Sequence, residues 1–544
     1  MGWKNRIVER GKQLAMTPRV LRVLSDDRVM RAAEGVMDAR TRMRAAAQKA
    51  GEAWQLLTHG HALPAIDPSL TEDGELGARK IRIEPGDGET RNGKSANGES
   101  HAPAVAKTNG HTQTNGRSEE HTGGADGEAL AAQMASRTSL SAIGGRDIFE
   151  KAYQFRAADN ARKMGVYPFF RPLDLNDGPE AILEGRRVTM FGSNNYLGLT
   201  THPKVREAAS EAIKKFGTSM TGSRLVNGSM KLHNQLEEKL AAFIGKEAAL
   251  VFTTGYQVNL ATISALLSNK KCVAVIDRND HASIYDGVRL GQAVGSRMIR
   301  YKHNDPEALD RALDELEPDE GAFVITDGVF SAEGEIARLP EIVNVVKKHK
   351  ARLFVDDAHA LGVIGPGGRG SAAHFGVVGD VDLLGGTFSK SLASIGGWLA
   401  GDRKVLDYIQ HFASSFMFAA SAAPPSVAAA MAALEVMQEE PWRMEQLKKN
   451  YTYMREELQK MGFDTGHSET AVIPVYVRQD LRTIMMWKEL LDVHGVYTNP
   501  FISPGVPPKQ AMLRTSYMAT HTKEHLDKGL EAFRAAGKKF GVIS

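Results

Sequence analysis

The feature that most restricts the folds open to this chain is an alternation of strand-like and helix-like patterns that begins near residue 141. Short apolar runs, Ala248–Phe252, Cys272–Ile276, Phe323–Ile325 and Leu353–Val355, are separated by helical patterns such as His233–Phe243, Asn259–Leu267 and Pro306–Leu316. Near-continuous apolar runs between helices predict an α/β fold, a mostly parallel sheet buried under helices on both faces. In such sheets ligands bind beyond the carboxyl ends of the strands. After Pro424-Pro425 a long helical pattern, Val427–Met437, leads into a smaller C-terminal region of mixed helix and short strands. With 544 residues and 42% hydrophobic composition, the chain can build one large core and a second domain. No internal repeat is visible.

The remaining sequence is different in kind. Residues 1–67 read as basic and helical, with Thr17-Pro18 as a helix start and apolar residues from Val20 to Met37 at roughly helical spacing. Arg19, Arg22, Arg28, Arg31, Arg40, Arg42 and Arg44 supply a charged side. Two readings stand side by side: an amphipathic helix at an anionic membrane surface or on a partner, and a solvated extension packed on its own enzyme. Residues 68–140 read as a disordered linker, because Gly86–Gly127 has almost no large apolar residues with which to offset chain entropy. Its histidines, His101, His111 and His121, lack regular metal-ligand spacing, and no metal site is expected. A formal net charge of +3 predicts no nucleic-acid partner. The one cysteine, Cys272, excludes an intrachain disulfide and fits a reducing, cytoplasmic setting; it is expected to be a buried small residue at a strand start. There is no apolar run long enough for a spanning helix, and the N-terminus lacks the apolar core of a secretory signal.

The residues that carry chemistry fall after the apolar runs. The run Leu353–Val355 ends in Asp356-Asp357-Ala358-His359, and about thirty residues later Gly385-Gly386-Thr387-Phe388-Ser389-Lys390-Ser391 presents a lysine on a loop rich in glycine and hydroxyls. This order is what a pyridoxal phosphate site requires. A lysine amine forms a Schiff base with the cofactor aldehyde, and an acid keeps the pyridine nitrogen protonated. Asp356 is the best candidate for that acid and Asp357 its competitor, because an adjacent carboxylate raises the ring pKa. His359 is in position to reach the ring hydroxyl, and Thr387 and Ser389 flank Lys390. Thr253-Thr254-Gly255-Tyr256-Gln257 follows a strand and opens a helix, which makes either a phosphate cradle or an ordinary turn. His281, in Asp277–Ser283, is either a ring-stacking residue or a structural hydrogen-bond partner.

From about residue 145 to 540 the chain resembles the α-oxoamine synthase family of fold-type I pyridoxal phosphate enzymes. The segments that carry the resemblance are Gly192–Leu199, Thr221–Gly228, Asn279–Ser283, Asp356–Gly362 with Gly368-Arg369-Gly370, Gly386–Lys390 and Leu513–Ser516. The resemblance implies a large domain with a mostly parallel seven-stranded sheet and a smaller C-terminal α/β domain. On this chain that gives an N-terminal segment at 141–190, a cofactor domain at 191–425 and a small domain at 426–544. It also implies a homodimer with shared active sites. Lys390 then becomes the Schiff-base lysine, His281 stacks on the ring, and Asp356 pairs with its nitrogen. His359 and Thr387 lie near the ring hydroxyl and the lysine, and Gly255, Tyr256 and Ser389 hold the phosphate. Arg514 resembles the arginine that binds the amino-acid carboxylate, and Asn195 resembles a residue near it. One departure stands out. The family usually carries a hydroxyl before Pro-Pro that reaches the neighbouring subunit's phosphate, and an ungapped match puts Ala420 there, with Ser421 as a substitute.

Within the family, Thr387-Phe388-Ser389-Lys390-Ser391, Val226-Asn227-Gly228 and Arg514–Thr522 resemble the bacterial serine palmitoyltransferase branch. That branch condenses L-serine with a long-chain acyl-CoA to 3-ketosphinganine, CO₂ and CoA, the first step of sphingolipid synthesis. The alternatives are a sister synthase using alanine or glycine, an aminotransferase, and a non-catalytic subunit; Lys390 speaks against the last. A lipid product would give the basic helix at 1–67 a reason to sit peripherally on the inner membrane.

Overall fold

The structure, a computed structural model, describes residues 147–544. The segments 1–67 and 68–140, with the helix and linker expected there, lie outside the described residues.

Three sheets organise the fold. The first strands, β1 (Leu173–Asp177), β2 (Glu180–Leu183) and β3 (Arg186–Met190), form an antiparallel meander. The central sheet holds seven strands: β4 (Ala248–Phe252), β5 (Cys272–Asp277), β6 (Arg297–Tyr301), β7 (Gly321–Asp327), β8 (Arg352–Asp356), β9 (Leu383–Thr387) and β10 (Gly397–Gly401). Their order is β4-β10-β9-β8-β7-β5-β6. Only β10 runs antiparallel to its neighbours. The α/β architecture with a mostly parallel seven-stranded sheet is therefore the observed fold. Val273–Ile276 and Leu353–Val355 have no exposed surface, as strands covered on both faces must.

The C-terminal strands are β11 (Val472–Tyr476), β12 (Val496–Tyr497), β13 (Asn499–Phe501) and β14 (Met512–Ser516). β11, β14 and β13 make a small antiparallel sheet, while β12 pairs parallel with β3. Residues 173–190 thus share a sheet with the C-terminal region. The helix after Pro424-Pro425 spans Pro424–Glu439 and packs on the Pro203–Phe216 helix. Proline fits its first turn because no N–H is needed there.

Two sequence expectations need correction. Gly385, Gly386 and Thr387 are not loop: they lie in β9, between β8 and β10. Glycine reads as a strand breaker, yet here it makes room. A Cβ on Gly385 would stand 2.8 Å from the Phe354 ring and one on Gly386 2.8 Å from Trp398 Nε1. The loop begins only at Phe388. Cys272 opens β5 as expected, but it is partly rather than fully buried. Among the described residues no helix is long and apolar enough to cross a membrane.

Candidate active site

The carboxyl ends of β4, β5, β7, β8 and β9 converge on a cavity of about 580 Å³, open to solvent. Gly255, Tyr256, His281, Asp356, His359, Thr387, Ser389 and Lys390 all line it. Asn259, Ser283, Asp327 and Val329 line it as well.

Each group is placed by the end of a strand. Asp356 is the last residue of β8, with register partners Asp327 on β7 and Gly385 on β9. Its Oδ2 accepts from Asn259 Nδ2 at 2.6 Å and its Oδ1 from the Ala358 N–H at 2.9 Å. The competitor Asp357 faces the other way. Its oxygens accept from the Ser371 N–H, at 3.0 Å, and from the Ser371 hydroxyl, and burial raises its pKa to about 7. Successive strand-end residues point to opposite faces, so only one of the two acids can look into the cavity.

Lys390 is partly covered, and its pKa is lowered to about 8. Desolvation is the main cause; Asp356 and Asp327 oppose it, and Arg514 adds to it. His359 is buried, with Nδ1 2.7 Å from the Tyr196 hydroxyl. Burial first, then the charges of Lys390, Arg514 and His281, hold its pKa well below normal. Burial pushes the Tyr196 hydroxyl up to about 12. The same hydroxyl donates to Asn194 Oδ1 at 3.3 Å. His281 caps the Ala282–Ala293 helix, with Nδ1 2.7 Å from Ser283 Oγ. Its pKa is lowered, chiefly by desolvation, with Asp356 opposing and Lys390 adding. Its ring meets that of Tyr256 edge-on at 6.2 Å. Tyr256 in turn hydrogen-bonds Asp286.

Thr254 caps the Gly255–Leu266 helix by accepting from the Gln257 N–H at 3.1 Å, so the free N–H groups of the first turn open on the cavity. Position 255 tolerates no side chain: a Cβ there would lie 2.6 Å from Thr387 Cβ. The Thr387 hydroxyl lies 2.8 Å from Ser389 Oγ.

The remaining expected residues lie off the cavity. Arg514, 3% exposed, donates Nε to the Ser331 carbonyl at 2.6 Å, Nη1 and Nη2 to Asn194 Oδ1 at 3.1 Å each, and Nη1 to Ser516 Oγ at 2.9 Å. Each of these partners is neutral, so a buried guanidinium stands without a carboxylate among these contacts. Asn195 does not face it. Its amide donates to Thr200 Oγ1 at 2.8 Å and accepts from the Leu199 N–H at 3.0 Å, which holds the turn instead. The neighbouring Asn194 is the one that meets Arg514. Ser421 donates its N–H to the Gly222 carbonyl at 3.0 Å and stands outside the cavity lining. Beside it, the Ala420 carbonyl accepts from Thr253 Oγ1 at 2.6 Å.

These residues fit pyridoxal phosphate. The cavity combines a helix N-terminus free for an anion, an amine of lowered pKa, and a carboxylate at the far wall. Two buried acceptors, Asn259 Oδ1 and Asp327 Oδ1, have no partner from the protein. Asn259 and Asp327 escaped the sequence reading. Asn259 lies within a helix, where a polar residue among buried neighbours was the only sign; Asp327 closes an apolar strand as Asp356 does.

Comparison with known proteins agrees with this geometry. The family model for class I and II aminotransferases matches residues 186–533. A serine palmitoyltransferase of Sphingobacterium spiritivorum is 45% identical over 382 residues, 70% of this chain and 94% of that protein. An 8-amino-7-oxononanoate synthase of Thermoanaerobacter pseudethanolicus is 40% identical over 386 residues, 71% of this chain and 96% of that one. The solved structure of a serine palmitoyltransferase with pyridoxal phosphate superimposes with a TM-score of 0.70 at 35% identity, covering 73% of this chain and all of that one. On both the fold and these relatives, the chain belongs to the class I and II aminotransferase family, in its α-oxoamine synthase branch of fold-type I, pyridoxal phosphate-dependent acyltransferases.

Proposed function

We propose that this enzyme condenses L-serine with a long-chain acyl-CoA, such as palmitoyl-CoA, to give 3-ketosphinganine, CO₂ and CoA. The observation that carries the reading is the pairing of a lysine of lowered pKa with a buried arginine that meets only neutral groups, Lys390 and Arg514. Together they suit an amino acid held by its carboxylate while its Cα proton is removed. The choice of serine rests on the Thr387–Ser391 loop and on the serine palmitoyltransferases among its relatives.

Pyridoxal phosphate, when bound, supplies the electron sink for the carbanion at Cα. The chain's own residues do the rest. Lys390 would hold the cofactor aldehyde, and its free amine would take the substrate Cα proton. Asp356 would keep a proton on the ring nitrogen, His359 would serve the ring hydroxyl, and His281 would cover one face of the ring. The N–H groups at Gly255 and Tyr256, with Ser389, receive the phosphate. Arg514, braced by Asn194, binds the substrate carboxylate in two-pronged fashion. Ser421 belongs to a contact across the interface of a homodimer. The chain divides into a cofactor domain at 191–425 and a small domain at 426–544. The basic segment 1–67 holds a cytoplasmic enzyme near the inner membrane that receives its product. Loss of vesicle binding on deletion of residues 1–140 tests that last point.

The deciding experiment is CoA release by the full chain with pyridoxal phosphate and palmitoyl-CoA, scanning serine, alanine and glycine. Release that depends on serine, with ketosphinganine in the extract, is the expected result. Release with alanine and a dicarboxylic acyl-CoA would instead favour the second reading, an oxononanoate-type synthase, which the 40% identity to such enzymes supports.

A further inference from the structure

Four aspartates meet at the ends of three neighbouring strands beside the cavity: Asp277 on β5, Asp280 just after it, Asp327 on β7 and Asp356 on β8. Three of them have donors on both oxygens. Asp277 Oδ1 accepts from the Asn279 N–H at 2.8 Å and pairs with His303 Nδ1 at 3.0 Å, and its Oδ2 accepts from the Asn304 N–H at 2.6 Å. Asp280 accepts from the backbone N–H groups of Asp277 and Asp327, each at 2.9 Å, and so ties β5 to β7. Asp356 accepts from Asn259 and Ala358. Asp327 differs. It is 3% exposed and lines the cavity, and its Oδ1 is buried without a partner.

Asp327 and Asp356 are register partners on parallel strands, which stand about 4.8 Å apart with side chains on the same face. Two buried neighbouring carboxylates disfavour each other's ionisation. Donors bias which one keeps its charge: each oxygen of Asp356 has one, whereas Asp327 has only the His281 N–H and its Oδ1 has none.

We propose that Asp327 is held as a neutral carboxylic acid and is the positioning residue for Asp356, its O–H donated across the strand gap to the Asp356 carboxylate. The inference rests on the reading of Asp356 as the partner of the cofactor's ring nitrogen. A neutral acid braces that carboxylate without adding a second negative charge, so one charge remains to hold the ring proton. The pKa of Asp327 is raised well above the carboxylate range, by burial first and then by Asp356, with Lys390 opposing and Asp277 adding. Asp280 is raised too, by burial, Asp327 and Asp277. Its two backbone donors nonetheless favour its charged form, which leaves the proton on Asp327. The other groups facing the cluster are the His281 backbone and ring, and His303 on the far side of Asp277.

The test uses the full chain without cofactor. The infrared difference spectrum of wild type against Asp327→Asn at neutral pH should lose a protonated-carboxyl C=O band; loss of carboxylate bands instead overturns the proposal. Carbon-13 NMR of aspartate-labelled wild type reads the same state with no substitution. A carboxyl resonance at the protonated position at pH 7 that disappears in equally labelled Asp327→Asn, leaving those of Asp280 and Asp357, is expected, and no such difference overturns the proposal. Cofactor binding gives a third readout. Asp327→Ala removes the donor and should weaken it about tenfold, the effect of roughly 1.4 kcal/mol. Asp327→Asn keeps an N–H donor and should recover most of that loss. Equal losses in both variants count against the positioning role. Asp356→Asn separates this inference from the reading beneath it: unchanged cofactor affinity there rejects the ring-nitrogen assignment, whatever the infrared band shows for Asp327.

Discussion

Asp277 and Asp356 end strands of the same sheet, both follow apolar runs, and both are almost fully buried, yet they serve different ends. Asp277 is enclosed by Asn279, Asn304 and His303, and His303 also lies 3.5 Å from Glu335. Every lone pair it offers points at the protein. Asp356 has one donor on each oxygen, Asn259 and Ala358, yet lines a cavity with Lys390. A strand-end acid is structural when its partners come from the fold and functional when one partner is left to a ligand. Burial alone does not separate the two cases.

The comparison breaks most sharply at the cavity end. Lys390→Ala should lower turnover by roughly 10²–10⁴-fold, since positioned proton transfer contributes about that much and no other amine among the described residues lines the cavity. CoA release by the purified variant checks this, with folding verified by circular dichroism. In the free enzyme the rate at which Lys390 captures the cofactor aldehyde should rise with pH and level off above about 8, because only the neutral amine attacks. Stopped-flow absorbance at several pH values reads it.

At the structural end, His303→Ala should cost roughly 3 kcal/mol of stability, as for one member removed from a buried pair, while leaving the chemistry of a folded enzyme in place. Urea unfolding measures it. Burial opposes the charge on His303, but its hydrogen bonds to Asp277 and Glu335 outweigh burial and raise the pKa to about 10. A pKa raised in the folded state stabilises fully below the unfolded value of about 6.5, and that contribution is lost as pH rises through the folded value. Stability should therefore fall between about pH 6.5 and pH 10 in wild type and not in His303→Ala. A flat wild-type profile would mean that Asp277 is not braced by a charged histidine.

Asn259→Ala tests the boundary between the two regions. It removes the 2.6 Å donor to Asp356 and should weaken cofactor binding about tenfold or more, as loss of a hydrogen bond to a charged group does. Fluorescence titration of the cofactor-free protein reads it. Gly255→Ala, where the new Cβ meets Thr387, should cost about 1–3 kcal/mol of stability by overcrowding, read by urea unfolding. Thr387→Ser should restore little of that loss, because the new Cβ meets Thr387 Cβ and Oγ1, which serine keeps.

Much of the site was legible because each motif follows an apolar run, and in a parallel sheet all such runs end on one side. Lys390, Asp356, His281, His359, Gly255, Tyr256, Thr387 and Ser389 lie around one cavity for that reason. The choice between Asp356 and Asp357 was not legible, since adjacent residues differ only in the face they point to. The same one-residue ambiguity separates Asn195, which holds its own turn, from Asn194, which meets Arg514. Gly385–Thr387 misled because glycine in a central strand is intelligible only once Phe354 and Trp398 are seen against it.

The sequence by itself determined the α/β class, the large sheet, the cofactor and the family, because periodicity and short motifs are local properties that survive without a partner in space. Which acid faces the ring, which asparagine braces Arg514, and how four aspartates divide donors among themselves were decided only by the tertiary structure. Those outcomes depend on strand register and on the supply of N–H groups from segments far apart in the chain, and no local pattern encodes either.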